Sequence, residues 1–538
     1  MGHRSLRDGR NSTFRLTEEP AERCTERSNL MDIENKTSKQ GDRRAWWILS
    51  VSTLAFAICF AAWMLNGVLV TFLVDNGLFD WGPQEIGWLI GIPVLSGALF
   101  RLPFGIATDR WGGRAIFTLL LFFVAVPMFL LSYCTSFWQF FIASFCFGFV
   151  GASFAIGIAY TSSWFSNHQQ GTALGIFGAG NAGAAITMLI APHLLNWLTE
   201  NGENLEGWRQ LPQIYAFVLL ITGIVFFLTT TTRIDEGQIK KTLSTRLRVL
   251  YSARVWRFGL YYFFVFGGFV ALSQWLIPYY VNVYSTTVVM AGVLVAIFSF
   301  PSGVIRALGG WMSDRWGARI VLYWVFAISV VSCILLIVPQ MDIRAPGSGV
   351  MARRSGIVTS MTANSITIDS QEFGGITYPI QAKQGELISN EERQSGLLFL
   401  PRSTSWQESV VDVGQSVNKK ELIARGITHI FFQANIWIFT FLCFLIGSVM
   451  GIGKAAVYKH IPNYFPDDVG VVGGMVGVIG GLGGFVCPVL FGYFLDATGL
   501  WTTCWMFFVI IAVLCLLWMH RVIQHMIRRD APQLFGSI

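Results

Sequence analysis

Twelve apolar stretches, each long enough to cross a bilayer, run through this 538-residue chain and leave few other folds open to it. A helix needs about 20 apolar residues to span a hydrocarbon core about 30 Å thick. Stretches of that kind lie near 46–74, 85–108, 115–133, 136–163, 171–194, 213–232, 257–282, 287–312, 319–339, 430–452, 470–494 and 500–523. Only 13% of the residues are charged, against roughly 25% in an ordinary soluble domain, so a soluble enzyme is a poor fit. The net charge of +7 is no nucleic-acid footprint, because the basic residues sit in short links between apolar runs. The nine cysteines are scattered without CxxC spacing, which reads as packing and not as a metal site; no cofactor or metal is expected.

Lysine and arginine orient the spans. Arg43 and Arg44 precede the first; Arg110 and Arg114 follow the second; a run from Arg233 to Arg257 follows the sixth; Arg315 and Arg319 follow the eighth; Arg521, Arg528 and Arg529 end the chain. All fall on one side if both termini are cytoplasmic. The expected organisation is a cytoplasmic tail (1–44), a six-helix half (45–232), a cytoplasmic linker (233–256), helices 7–9 (257–339), an outer insertion (340–429), helices 10–12 (430–523) and a cytoplasmic tail (524–538). The insertion carries β-branched runs such as Ile357-Val358-Thr359 and Ile366-Thr367-Ile368 between Gly and Ser residues, which predicts a small β-rich unit. A long linker is the alternative.

The ends of helices 2 and 8 repeat each other. Arg101, Gly105, Asp109, Arg110 and Arg114 recur as Arg306, Gly310, Asp314, Arg315 and Arg319, each 205 positions later (101 to 306, 109 to 314). Two six-helix halves in parallel relation produce such symmetry. Arg101 and Arg306 each precede the terminal aspartate by eight residues, about 12 Å along a helix, which puts both well inside the hydrocarbon. An arginine there costs at least about 2.5–3.5 kcal/mol. No Asp or Glu lies in the interior of any span to offset it. Two buried cations without a resident carboxylate point to an anion from outside, and the planar guanidinium fork suits a planar oxyanion. The competing reading is that each arginine bonds backbone carbonyls or snorkels to an interface.

Helices 5 and 11 are dense in glycine: Gly175, Gly178, Gly180 and Gly183 in one, Gly473, Gly477 and Gly481 in the other. Small residues at this spacing let helices approach closely. Gly178-Ala-Gly-Asn-Ala-Gly183 matches a dinucleotide-loop pattern by chance, since no strand precedes it. Gly453-Lys454-Ala455 lacks the spacing of a phosphate loop.

The GxxxDRxG[GA]R pattern after helices 2 and 8 resembles the signature loop of the major facilitator superfamily. The glycine runs with Asn181, the two arginines, and Gly451-Ile-Gly-Lys-Ala-Ala-Val-Tyr-Lys-His-Ile-Pro462 resemble the nitrate/nitrite porter family within it. The resemblance implies an all-α polytopic membrane protein of twelve helices in two six-helix halves, with the β-rich insertion between helices 9 and 10 as a departure from the common pattern. It implies a non-enzymatic transporter, monomeric in a bacterial inner membrane, that moves nitrate and nitrite. Carried over residue by residue, Arg101 and Arg306 clamp the anion, Asn181 lies close by, and Tyr262, Phe154 and Phe266 cover it. Asp109, Arg110 and Arg114 form one conformational latch, and Asp314, Arg315 and Arg319 the other. Anion exchange is the expected mode, because a loaded site removes the repulsion between the arginines. Proton-coupled entry, another small anion such as formate, and a receptor sensing through the insertion are the alternatives.

Overall fold

The computed structural model describes residues 43–165, 167–232, 251–337, 341–370, 374–383, 402–432, 435–465 and 469–530. Most of the expected tails and the linker stretch 233–250 lie outside them.

Among the described residues, eleven helices and one bent pair meet the length and hydropathy needed to cross a membrane. They are α1 (Arg43–Asp75), α2 (Pro83–Trp111), α3 (Gly113–Tyr133), α4 (Phe137–Ser162), α5 (Thr172–Leu198) and α6 (Leu205–Thr229) in the first half. The second half has α7 (Ala253–Tyr284), α8 (Val288–Val304 and Arg306–Trp316), α9 (Ala318–Leu336), α10 (Ile436–Ile461), α11 (Val471–Thr498) and α12 (Thr503–Met526). The helical part of the expected fold class is therefore present.

Three local irregularities shape the centre. The two pieces of α8 meet at 46°, immediately before Arg306. The break falls at Ile305, whose ψ of −4° leaves the α-helical range, one turn beyond Pro301. In α7, residues Phe263–Gly267 form a π-helical segment directly after Tyr262. Such segments re-aim side chains and favour functional sites. Gly112 and Gly317 end α2 and α8 with φ of 83° and 86°. A side chain is strained there, which explains why the repeated loop has glycine at both positions.

The glycine-rich helices make several close approaches. A Cβ at Gly180 would stand 2.5 Å from Phe56 of α1, and one at Gly183 would collide with the Ala57 backbone. Gly481 has the same relation to Ala98 of α2, at 2.7 Å, and Gly267 of α7 to Gly480 and Gly483 of α11, at 2.6 Å. Gly175 faces open space. The cysteines are mostly buried and all eight described ones are free.

Between α9 and α10 the described residues form seven strands: β1 (Met341–Met351), β2 (Gly356–Thr362), β3 (Ser365–Ser370), β4 (Gly374–Pro379), β5 (Arg402–Ser409), β6 (Ser416–Val417) and β7 (Leu422–Phe432). They make two antiparallel sheets, ordered β1-β7-β5 and β4-β3-β2-β6. Val358, Ile366, Ile368, Tyr378, Val417 and Ile423 form its own small core. Pairing of Met341 with Phe432 brings the two ends of the insertion side by side.

Candidate functional site

The two arginines share one aromatic ring. Arg101 on α2 lies 5.5 Å from the centre of the Phe154 ring, and Arg306 on α8 lies 5.9 Å from it. The guanidiniums are therefore no further apart than those two distances added together. Like charges at that separation repel by at least about 1.4 kcal/mol at an effective dielectric of ~20. Phe154 stacks on Phe266 at 6.4 Å, and Phe266 stacks on Tyr262 at 5.0 Å with the rings 5° apart. Arg101 also lies 5.1 Å from Phe266 and 5.6 Å from Trp63. Aromatic faces attract cations, so this wall holds both guanidiniums without neutralising them.

Each arginine reaches the glycine helix of the other half. Arg101 Nη1 donates to the Gly477 carbonyl oxygen of α11 at 2.5 Å, and its Nε donates to the Gly151 carbonyl at 3.3 Å. The Arg306 side chain lies against Gly178 of α5, where a Cβ would stand 3.2 Å from its Cδ. Gly178 thus acts as a clearance for the Arg306 side chain, and Gly477 for the Tyr458 hydroxyl, which a Cβ would approach to 3.2 Å. The backbone-bonded reading of Arg101 holds for two of its nitrogens. Arg101 Nη2 and Arg306 Nη1 remain buried without a hydrogen-bond partner among the described residues.

Other unpaired polar atoms accompany them. Both amide atoms of Asn181 are buried and unpartnered among the described residues. Around Tyr262 stand Arg306, Arg101 and Tyr458. The Asn181–Ala182 backbone lies against Gly303, three residues before Arg306. A buried polar atom left unpaired costs about 1–3 kcal/mol. Several in one layer mark a site whose hydrogen bonds are completed by something other than the protein.

Two residues at this level escape a motif-based reading. Tyr458 on α10 is steeply inclined to Tyr262 at 5.0 Å, lies 5.3 Å from Arg306, and donates to the Gly473 carbonyl at 2.9 Å. Lys454, one turn before it, is fully buried and donates to Ser302 Oγ at 2.9 Å. The signal for both is a lysine inside an apolar run, four residues from a tyrosine and so on the same helical face.

The repeated loops make bonds within their own halves. Arg114 donates to the Phe227 carbonyl of α6 at 3.0 and 2.8 Å. Asp314 pairs with Lys459 of α10 at 2.5 Å, and Arg319 donates to the Tyr464 hydroxyl at 2.6 Å. Arg110 rests 5.5 Å from the neighbouring Trp111 ring. At this end Gly105, Gly175, Gly310 and Gly474 each have room for a side chain. The insertion end is shut. Gly87 of α2 is pressed onto the Pro488 carbonyl of α11, Gly292 of α8 onto the Met188 carbonyl of α5, and Gln84 donates to Asp496 at 2.7 Å.

The sequence profile of the Major Facilitator Superfamily matches residues 51–372. A probable nitrate/nitrite antiporter of Thermus thermophilus, NarK1, is 37% identical over 492 residues, which cover 90% of this chain and 94% of that one. The chain belongs to the nitrate/nitrite porter family of the major facilitator superfamily. A nitrite extrusion protein of Bacillus subtilis (strain 168) is 28% identical to this porter, covering 63% and 83% of the two chains. A probable nitrate transporter of Staphylococcus epidermidis, NarT, is 24% identical, covering 88% and 95%. Solved structures share the porter's fold at low identity. A bacterial homologue of the human lysosomal transporter Spinster has a TM-score of 0.55 at 14% identity, covering 88% and 96%. The nucleoside transporter NupG has 0.54 at 13%, covering 88% and 99%. These structures support the helical framework; the β-rich insertion is read from the strands themselves.

Proposed function

We propose that this porter carries nitrate and nitrite across the bacterial cytoplasmic membrane by alternating access, exchanging one anion for the other. The observation that carries the reading is the pair of guanidiniums on either side of Phe154, each with a buried nitrogen unpaired among the described residues. A trigonal oxyanion between Arg101 Nη2 and Arg306 Nη1 supplies acceptors to both and offsets their repulsion. Asn181 and Tyr262 supply further donors, and Phe154 and Phe266 exclude water from the bound ion.

The halves rock about this level. In the conformation described the insertion end is shut, and the room beside Gly105, Gly175, Gly310 and Gly474 supports an opening at the end carrying the repeated loops. With both termini cytoplasmic and the insertion periplasmic, as the basic residues direct, this is the inward-facing state. Asp109, Arg110 and Arg114, and Asp314, Arg315 and Arg319, then act as latches whose partners change when the cytoplasmic end closes. An empty site leaves guanidinium N–H groups without acceptors between the closing halves, so crossing is easiest when loaded, and exchange follows.

The test is uptake of labelled nitrate into proteoliposomes with and without internal nitrite. Stimulation by internal nitrite supports exchange. Equal uptake in both contradicts it.

A further inference from the structure

Lys454 adds a third buried cation to a site already crowded by two. Its ammonium donates to the Ser302 carbonyl at 3.2 Å and to Ser302 Oγ at 2.9 Å, and lies 3.2 Å from the centre of the Phe269 ring. It is also 6.0 Å from the centre of the Phe266 ring, which Arg101 approaches to 5.1 Å. Arg306 is the charge that acts on it directly. The titratable hydroxyls in the same layer are Tyr262 of α7 and Tyr458 of α10. From α9, Val325 lies beside the neighbouring Gly453. Helices α7, α9 and α10 contain no Asp or Glu, and the one acid of α8, Asp314, is at its far end on Lys459.

The three cations differ in one respect. A guanidinium keeps its proton under all physiological conditions, whereas a lysine buried near like charge releases its proton readily. Without an anion, a charged Lys454 makes a cluster of three positive groups. A neutral Lys454 leaves two. Arrival of one anion permits the amine to take a proton from the bulk, and the cluster returns to the same net charge of two. Ser302 suits both forms, since its carbonyl and hydroxyl oxygens accept from the ammonium and its hydroxyl donates to the amine lone pair.

We infer that Lys454 is a proton-binding member of the anion site, which takes up one proton from solution as nitrate or nitrite binds and releases it as the anion leaves. The inference rests on the anion-transport reading above. Its consequence is that rising pH weakens anion binding, because the loaded state holds the extra proton. The weakening approaches about tenfold per pH unit where the free site is deprotonated and the loaded site is not.

The test is calorimetric titration of the purified porter in detergent with potassium nitrate, in two buffers of different ionisation enthalpy and across about pH 6 to 9. Wild-type protein is expected to bind nitrate with uptake of close to one proton in the upper part of that range. Lys454→Arg, which keeps a fixed charge, and Lys454→Met, which removes it, are expected to bind nitrate with altered affinity but no linked proton. Nitrate binding by wild type with no linked proton at any pH overturns the role of Lys454 and leaves the transport reading standing. So does proton uptake by Lys454→Arg equal to that of wild type. Absence of nitrate binding by wild-type protein overturns the transport reading itself.

Discussion

Nη1 of Arg101 donates a 2.5 Å hydrogen bond to the carbonyl oxygen of Gly477, joining the first half of the porter to the second at the level of the proposed anion site. The same geometry leaves Arg101 Nη2 without a partner among the described residues. A positioning bond and a binding nitrogen thus come from one side chain.

Glycines at the open end behave differently from those at the site. Gly474 has room for a side chain in the conformation described, and Gly477 does not, with Tyr458 Oη 3.2 Å from where its Cβ would lie. Gly474→Val is expected to keep nitrate affinity within about twofold while slowing exchange about tenfold, because the added bulk props the cytoplasmic end open. Gly477→Val is expected to lose affinity about tenfold, roughly 1.4 kcal/mol. Calorimetry and counterflow on the same preparations separate the two effects; unaltered exchange in Gly474→Val contradicts the rocking motion.

Two tyrosines in one layer have separate jobs. The Tyr458 hydroxyl donates to the Gly473 carbonyl, whereas the Tyr262 hydroxyl faces Arg306 and Arg101. Tyr262→Phe is expected to weaken nitrate binding by about 0.5–1.5 kcal/mol, the usual value of one hydrogen bond. Tyr458→Phe is expected to lower the melting temperature with a smaller change in affinity. A larger affinity loss in Tyr458→Phe reverses the assignment.

The insertion is separable from transport on its geometry. Residues Met341 and Phe432 are paired, so a short Gly/Ser link can replace the strands without pulling α9 and α10 apart. Deletion of residues 344–429 in this way is expected to leave substantial counterflow. Complete loss of flux in a folded, correctly inserted protein favours the receptor reading.

Much of this architecture is legible in the amino-acid sequence alone. Twelve helices follow from apolar length, because the bilayer fixes how many residues a span needs. The arginines follow from the cost of burying charge, and the 101/306 repeat pairs them across the halves. The strands of the insertion follow from β-branched runs, though the division into two sheets does not, since pairing order is set by contacts distant in sequence. The bend before Arg306 requires Pro301 to be weighed against its surroundings, as several other helices contain proline without a comparable break. Gly178 and Gly477 read as helix-packing residues; their proximity to arginine side chains depends on rotamers that no spacing rule predicts. Lys454 is visible as a charge in an apolar run, but a search for carboxylates that neutralise arginine passes over another cation.

The central claim is that two guanidiniums hold one anion between them, and nitrate binding by Arg101→Lys tests it most directly. A lysine at this position keeps the charge and loses the fork that bonds Gly477 and the anion together. The account predicts a loss of affinity of at least about thirtyfold, near 2 kcal/mol, in a variant that still folds and inserts. Nitrate bound as tightly by Arg101→Lys as by the unaltered porter contradicts it.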